Sequence, residues 1–239
     1  MPVREKIILA LDVSDREYAL DIVDRFADHV DIYKVGLELF ISGGPAVVEE
    51  IKKRGKRVFL DLKFHDIANT VIKASLAAAR LGVYMFNLHA SGGTEMMRRA
   101  KEAVVDLCLK ENMQRPKMLG VTVLTGLSQE VVKGELGIQH SLRTHVKQLS
   151  TLSVSAGLDG VVASGHEVAM LRGHFGKGFL IVTPGIRTSW SPPDDQKRTM
   201  TPRQAIREGA DYIVLGRAVL SQPDPFKALE LIQAEILTA

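Results

Sequence analysis

The stretch Arg57-Val58-Phe59-Leu60-Asp61-Leu62-Lys63-Phe64-His65-Asp66-Ile67 joins a short apolar run to the start of an amphipathic one, Ile67–Leu81. By its period, the first part is a strand that gathers charge toward its end, and the second is a helix with one apolar face. The same unit recurs on both sides. Strands are predicted at Lys6–Asp12, Asp31–Val35, Arg57–Lys63, Tyr84–His89, Lys117–Thr122, Gly160–Ala163, Phe179–Thr183 and Asp211–Leu215. Helices are predicted at Asp15–Ala27, Gly44–Arg54, Ile67–Leu81, Thr94–Glu111, Leu142–Ala156, Glu167–His174, Thr201–Glu208 and Asp224–Leu237. Ser14-Asp15 and Thr201-Pro202 carry the chemistry that starts a helix. Eight units in 239 residues take about 30 residues each and leave no Pro- or Ser-rich linker over. Alternating βα units build a parallel sheet. Eight of them in this length point to a closed (β/α)8 TIM barrel, one α/β domain over 1–239, rather than a doubly wound open sheet.

In such a barrel, sites are built at the C-terminal edge of the strands. Strand after strand reaches that edge in a chemically capable residue: Asp12, Lys34, Asp61 with Lys63, and His89. Thr125, Arg187 and Arg217 follow just past later strands. Burying an unpaired charge is costly, so charges inside the last turn of apolar strands carry information. Asp61 and Lys63 are two apart, share a face and point into the barrel mouth. Lys34 ends the neighbouring strand, and Asp66 stands where the chain turns into the next helix. An alternating set of Lys34, Asp61, Lys63 and Asp66 keeps all four ionised, each beside an opposite charge. It places a fixed carboxylate and an ammonium proton donor in one pocket. An ion-pair network that only stabilises strand ends has the same composition.

A second pattern is a phosphate site. Barrels often hold phosphate with the loops after strands seven and eight. Here those loops read Thr183-Pro184-Gly185-Ile186-Arg187 and Leu215-Gly216-Arg217-Ala218. Glycine lets the backbone approach an anion, and arginine offers a planar set of donors.

Composition excludes several classes. With 31 basic and 28 acidic side chains the net charge is +3, and no run of five or six like charges occurs. The densest basic stretch, Lys52-Lys53-Arg54 with Lys56 and Arg57, ends a helical pattern and reads as a solvated complement to the helix dipole. No nucleic-acid-binding signature accompanies it. The one cysteine, Cys108, falls in an amphipathic helix and reads as a packing thiol. The chain shows neither a signal peptide nor an apolar run of about 18 residues, so a cytoplasmic protein without membrane contact is expected.

Taken together, these residues resemble the orotidine 5′-phosphate decarboxylases of the bacterial type. The resemblance rests on Leu9-Ala10-Leu11-Asp12, Lys34-Val35-Gly36, Asp61-Leu62-Lys63-Phe64-His65-Asp66-Ile67, Val123-Leu124-Thr125, Pro184-Gly185-Ile186-Arg187, and Gly209-Ala210-Asp211-Tyr212 through Gly216-Arg217. It implies decarboxylation of orotidine 5′-phosphate to UMP without cofactor or metal. Lys63 would be the proton donor to C6 of the pyrimidine and Asp61 would face the substrate carboxylate. Lys34 would pair with the aspartates and reach the ribose, and Asp12 would bind a ribose hydroxyl. Thr125 would lie near the base. Pro184, Arg187, Gln196, Gly216 and Arg217 would hold the 5′-phosphate, with the loop Ser189–Arg198 closing over it. Asp66 and Thr70 would come from the partner subunit of a homodimer. The family pattern is departed from at Ala68, where Pro is expected, at Gly126, where Ser is common, and at Ala218, where Pro is frequent. His65 and His89 read as packing residues. The alternative is a Mg²⁺-dependent sugar-phosphate enzyme on the same barrel, such as a hexulose-phosphate synthase or ketogulonate-phosphate decarboxylase. Its carboxylates would hold the cation, an arrangement that two lysines beside Asp61 discourage.

Overall fold

A computed structural model describes residues 2–188 and 199–239. Eight strands run parallel and close in chain order. They are β1 (Ile7–Ala10), β2 (Ile32–Gly36), β3 (Arg57–Phe64) and β4 (Met85–His89), then β5 (Lys117–Val121), β6 (Gly160–Val162), β7 (Leu180–Thr183) and β8 (Tyr212–Leu215). The first half of the chain adds α1 (Val3–Lys6), α2 (Arg16–Arg25), α3 (Leu37–Lys53), α4 (Ala68–Arg80) and α5 (Gly93–Lys110). The second half adds α6 (Gln129–Gly134), α7 (Leu142–Ser155), α8 (Gly165–Phe175), α9 (Pro202–Glu208), α10 (Arg217–Leu220) and α11 (Pro225–Leu237). The TIM barrel expected from the sequence is present, and the register closes through β8 beside β1, with Ile8 opposite Val214.

The differences lie in short pieces. β1 ends at Ala10, so Asp12 stands beyond the strand rather than within it. β3 continues one residue past Lys63. α3 begins at Leu37, seven residues before the predicted start, and breaks at Gly44, whose φ of +62° is followed by Pro45. α1, α6 and α10 are too short to show a helical period and were not expected. The start signals hold: the Asp15 carboxylate accepts the Tyr18 N–H, and Thr201 forms a capping box with Gln204.

Strand pleating divides the core in two. Ile7, Leu9, Tyr33, Val35, Val58, Leu60, Phe86 and Leu88 pack outward against the helices. Ile8, Ala10, Ile32, Phe59, Met85, Leu119, Val182, Tyr212 and Val214 fill the barrel interior. Each large apolar side chain so buried contributes about 1.5–3 kcal/mol. The basic stretch at the end of α3 is paired rather than merely solvated. Arg54 donates to Asp24 and Glu50, Lys53 to Glu50, and Lys56 to the Ala27 carbonyl, while Arg57 lies over the Tyr84 ring. Cys108 is buried in α5, and burial pushes its thiol above the usual range, as a packing residue requires. Among the described residues no helix is long and apolar enough to cross a membrane.

Candidate active site

The interior rows continue past the apolar layers. On β2 the inward residue after Ile32 is Lys34, on β3 the one after Phe59 is Asp61, and on β4 the one after Met85 is Asn87. Asp12 lies two residues past Ala10. Three adjacent strands thus place polar groups at one level, directly above a packed apolar floor. Asp12, Lys34 and Asp61, though not Asn87, border a cavity of about 490 Å³. Asp12, Lys34, Asp61 and Lys63 line it from the β1–β3 side, and Thr125, Pro184, Arg187, Gly216 and Arg217 from β5, β7 and β8.

Lys34 Nζ donates to Asp12 Oδ1 at 2.7 Å and lies 3.5 Å from Asp61 Oδ2, while Lys63 Nζ donates to Asp61 Oδ1 at 2.8 Å. The charges therefore alternate Asp12, Lys34, Asp61, Lys63. Burial disfavours the Lys34 ammonium, but the Asp61 and Asp12 carboxylates outweigh it and hold the group above the ordinary lysine value. Gly36 keeps this cluster tight, because a Cβ there would sit 3.1 Å from Lys34 Nζ and 3.4 Å from Asp12 Oδ1.

Asp66, expected as the fourth member, is not joined to this row within the chain. It is exposed, and its Oδ1 accepts the Ile67 N–H at 2.6 Å. With Thr70 it lines a separate groove beside β3, and Lys63 lines both that groove and the main cavity. His65 and His89 pack on each other with ring centroids 5.1 Å apart, and neither lines the main cavity. Burial, then the nearby His65 and Lys63, holds His89 below the ordinary histidine value.

Lys63 has a φ of +52°, in the left-handed region that costs a residue with a side chain roughly 1–2 kcal/mol. The cause is a bulge. Pairing with β4 passes from Leu60↔Phe86 to Phe64↔Leu88, so β3 advances four residues while β4 advances two. The Lys63 N–H, released from the ladder, donates to Asn87 Oδ1 at 2.8 Å, and Asn87 Nδ2 donates to Asp61 Oδ1 at 2.6 Å. Asn87 is fully buried. Sequence reasoning missed it; the signal was a lone amide inside the apolar run Met85-Phe86-Asn87-Leu88.

At the opposite end, Gly185 has a φ of +76°, which lets the β7 loop turn beneath Arg187. The Arg187 N–H donates to the Met200 carbonyl at 3.0 Å and the Met200 N–H to Gly185 at 3.2 Å. The chain on either side of 189–198 is thereby tied together. Gln196 and the loop Ser189–Arg198 lie outside the described residues. Of the departures from the family pattern, Ala68 opens α4, Ala218 is buried in α10, and a Cβ on Gly126 would meet nothing within 4 Å. Among the described residues no three His, Cys, Asp or Glu side chains gather as a metal site.

Comparison with known proteins gives a consistent result. Residues 5–232 match the model of the orotidine 5′-phosphate decarboxylase / HUMPS family. The chain is 49% identical over 234 residues to the orotidine 5′-phosphate decarboxylase of Geobacter metallireducens, covering 98% of this chain and 97% of that protein. It is 47% identical over 236 residues to the protein of the same name from Moorella thermoacetica, covering 99% and 94%. Among solved structures, the orotidine 5′-phosphate decarboxylase of Lactobacillus acidophilus superposes with a TM-score of 0.83 at 34% identity, over 97% of this chain and 99% of that one.

Proposed function

The chain belongs to the orotidine 5′-phosphate decarboxylase / HUMPS family, and from that premise we propose that it decarboxylates orotidine 5′-phosphate to UMP and carbon dioxide in pyrimidine biosynthesis. The observation that carries this reading is the row Asp12, Lys34, Asp61, Lys63 on one side of a cavity whose other side presents Arg187 and Arg217. A nucleoside monophosphate has matching ends, with the phosphate toward the arginines and the base and ribose toward the charged row. Arg187, Arg217, Gly216 and Pro184 hold the phosphate, Asp12 and Lys34 the ribose hydroxyls, and Thr125 the edge of the base.

In this assignment the bond from C6 to the carboxylate breaks and its electron pair stays on C6. The Lys63 ammonium then gives a proton to that carbon, and the amine recovers one from solvent. Asp61 faces the departing carboxylate. Two carboxylates about 4 Å apart repel by about 4 kcal/mol at an effective dielectric near 20, and that repulsion vanishes as carbon dioxide leaves. The same row favours the developing charge on C6, because the Lys63 ammonium is already in place. A divalent cation would need the Asp61 oxygens, which face the Lys63 and Lys34 ammonium groups, so the geometry favours the metal-independent reading. The direct test is the fall in ultraviolet absorbance of orotidine 5′-phosphate with purified protein in excess EDTA. Full turnover is expected; an unchanged spectrum overturns the proposal.

The same reading makes the enzyme a homodimer in which Asp66 and Thr70 complete the partner's site beside Lys63. Support comes from exposed apolar side chains after β2 and β3, namely Leu37, Ile41 and Ile67, of which Ile41 is 79% and Ile67 73% exposed. Asp66 and Thr70 flank Ile67 and are exposed with it. Mixing Asp61→Asn chains with Asp66→Asn chains should restore activity, since one site of each heterodimer carries both lesions and the other neither. With half the dimers mixed, about a quarter of the wild-type sites return. No recovery in verified heterodimers rules out a shared site.

A further inference from the structure

We infer that Asn87 is a positioning residue for the decarboxylation, holding the Lys63 backbone and the Asp61 carboxylate in register with one buried amide. The inference rests on the function proposed above and adds a residue to it. β3 has two more residues than β4 across the bulge, so the ladder leaves the Lys63 N–H without its regular carbonyl. Asn87 stands on β4 between Phe86 and Leu88, opposite that gap. Its carbonyl oxygen accepts the Lys63 N–H at 2.8 Å and its amino group donates to Asp61 Oδ1 at 2.6 Å. The amide does both from one planar group: Asp, of the same shape, offers no donor, and Leu, of similar size, offers neither. Asn87 is fully buried, so solvent does not replace a lost partner at its amide.

The consequence falls on the proton donor. Lys63 holds a φ of +52° against the preference of a side-chain-bearing residue, and conformations of that kind persist where their surroundings over-determine them. Without the Asn87 carbonyl, Lys63 relaxes toward extended backbone, which turns its side chain away from Asp61 Oδ1. The phosphate end, more than one strand away on β7 and β8, is untouched. The expected signature is therefore a fault in the chemical step with nucleotide binding intact, which a general loosening of the barrel would not give.

The test is Asn87→Leu in the full-length protein, with kcat, KM and the Kd for UMP measured alongside thermal melting. A displacement of an ångström at the reacting group costs about 100-fold, so kcat should fall by about that factor while KM and the UMP Kd stay within about threefold. A kcat within about threefold of wild type overturns the inference, as does a rise in KM and Kd matching the loss in kcat. If Asn87→Leu does not fold, Asn87→Ala, which is smaller and offers neither donor nor acceptor, is judged by the same criteria. Asn87→Asp keeps the acceptor but not the donor, and should also be impaired. Wild-type protein inactive on orotidine 5′-phosphate would overturn the functional reading instead. A crystal structure of Asn87→Leu separates the two failures, since a Lys63 φ that remains positive removes the positioning role whatever the substrate.

Discussion

At the N-terminal end of the barrel, Asp159 Oδ2 accepts from Lys101, Arg115 and the Met118 N–H, and Oδ1 accepts from Arg115, all at 2.8 Å. At the C-terminal end, Asp61 Oδ1 accepts from Lys63 and Asn87, while Oδ2 has one ammonium at 3.5 Å. Both carboxylates are largely buried among cations, but the first is closed on itself and the second borders a cavity. The lower arrangement also repeats: Asp31, Asp159 and Asp211 each stand immediately before a strand, and each pairs with a neighbouring Lys or Arg. None of the Asp159 network's own members, Lys101, Arg115, Met118 and Asp159, has a positive φ, whereas the upper row includes a left-handed Lys63 and packs against Gly36. A saturated ion pair fastens strand to strand. An under-saturated one, held by strained backbone, keeps its charges facing outward for a substrate.

The largest expected effect breaks the upper end alone. Lys63→Ala should reduce kcat by about 1000-fold or more, because it removes the proton donor itself. Asp61 keeps Lys34 and Asn87 when Lys63 is lost, so the change in unfolding free energy should stay below the roughly 3 kcal/mol of a fully broken buried pair. Binding of UMP should stay measurable, since the phosphate contacts are elsewhere. Steady-state kinetics with urea unfolding check both halves, and turnover near wild type sinks the assignment of Lys63.

Asp159→Asn should do the reverse. It leaves Lys101 and Arg115 without their carboxylate, and breaking a buried pair destabilises by about 3 kcal/mol, while kcat should stay within about threefold of wild type. The effect should depend on pH. Burial raises the Asp159 pKa, but the hydrogen bonds from Arg115, Lys101 and the Met118 N–H outweigh it and hold the group at about 2, against an ordinary value of 3.8. A carboxyl depressed in the folded state stabilises fully above its unfolded pKa, and that stability is lost as pH falls through the folded value. The linked contribution is about 2 kcal/mol. The gap between wild type and Asp159→Asn in urea unfolding should therefore narrow as pH drops from 7 toward 2. A gap that does not change with pH counts against the network.

The two ends also differed in how far they could be read. All eight strands were legible because each is a short apolar run before an amphipathic stretch, and eight such units in this length pointed to closure. Asp61 and Lys63 were legible as charges inside an apolar strand, where solvent exposure does not explain them. Asp31 and Asp211 read in the sequence only as first residues of strands, and nothing in a linear pattern says that a side chain at a strand foot reaches its neighbour. Asn87 and the bulge were hidden for a related reason: the conformation of Lys63 is imposed by β4, a partner that the residues of β3 do not specify. Asp66 follows the row in sequence and the resemblance gives it to the partner's site; within its own chain it is exposed and does not line the cavity.

That hidden strain permits the smallest and most specific test. Lys63→Gly and Lys63→Ala remove the same ammonium, so their difference isolates the backbone. In ordinary strand or helix interiors alanine is the more stable by roughly 0.5–1 kcal/mol. At a φ of +52° the sign should invert, with Lys63→Gly more stable than Lys63→Ala by about 1 kcal/mol. Asn112 supplies the control outside the site. It has a φ of +50° just past the end of α5, where the Met113 N–H donates to the Cys108 carbonyl, and asparagine suits that position. Asn112→Gly should exceed Asn112→Ala by a similar amount, without effect on turnover. Equal or reversed stabilities at position 63 with the expected order at position 112 would show that Lys63 is unstrained, and the contrast between the two carboxylate networks would fail at its central residue.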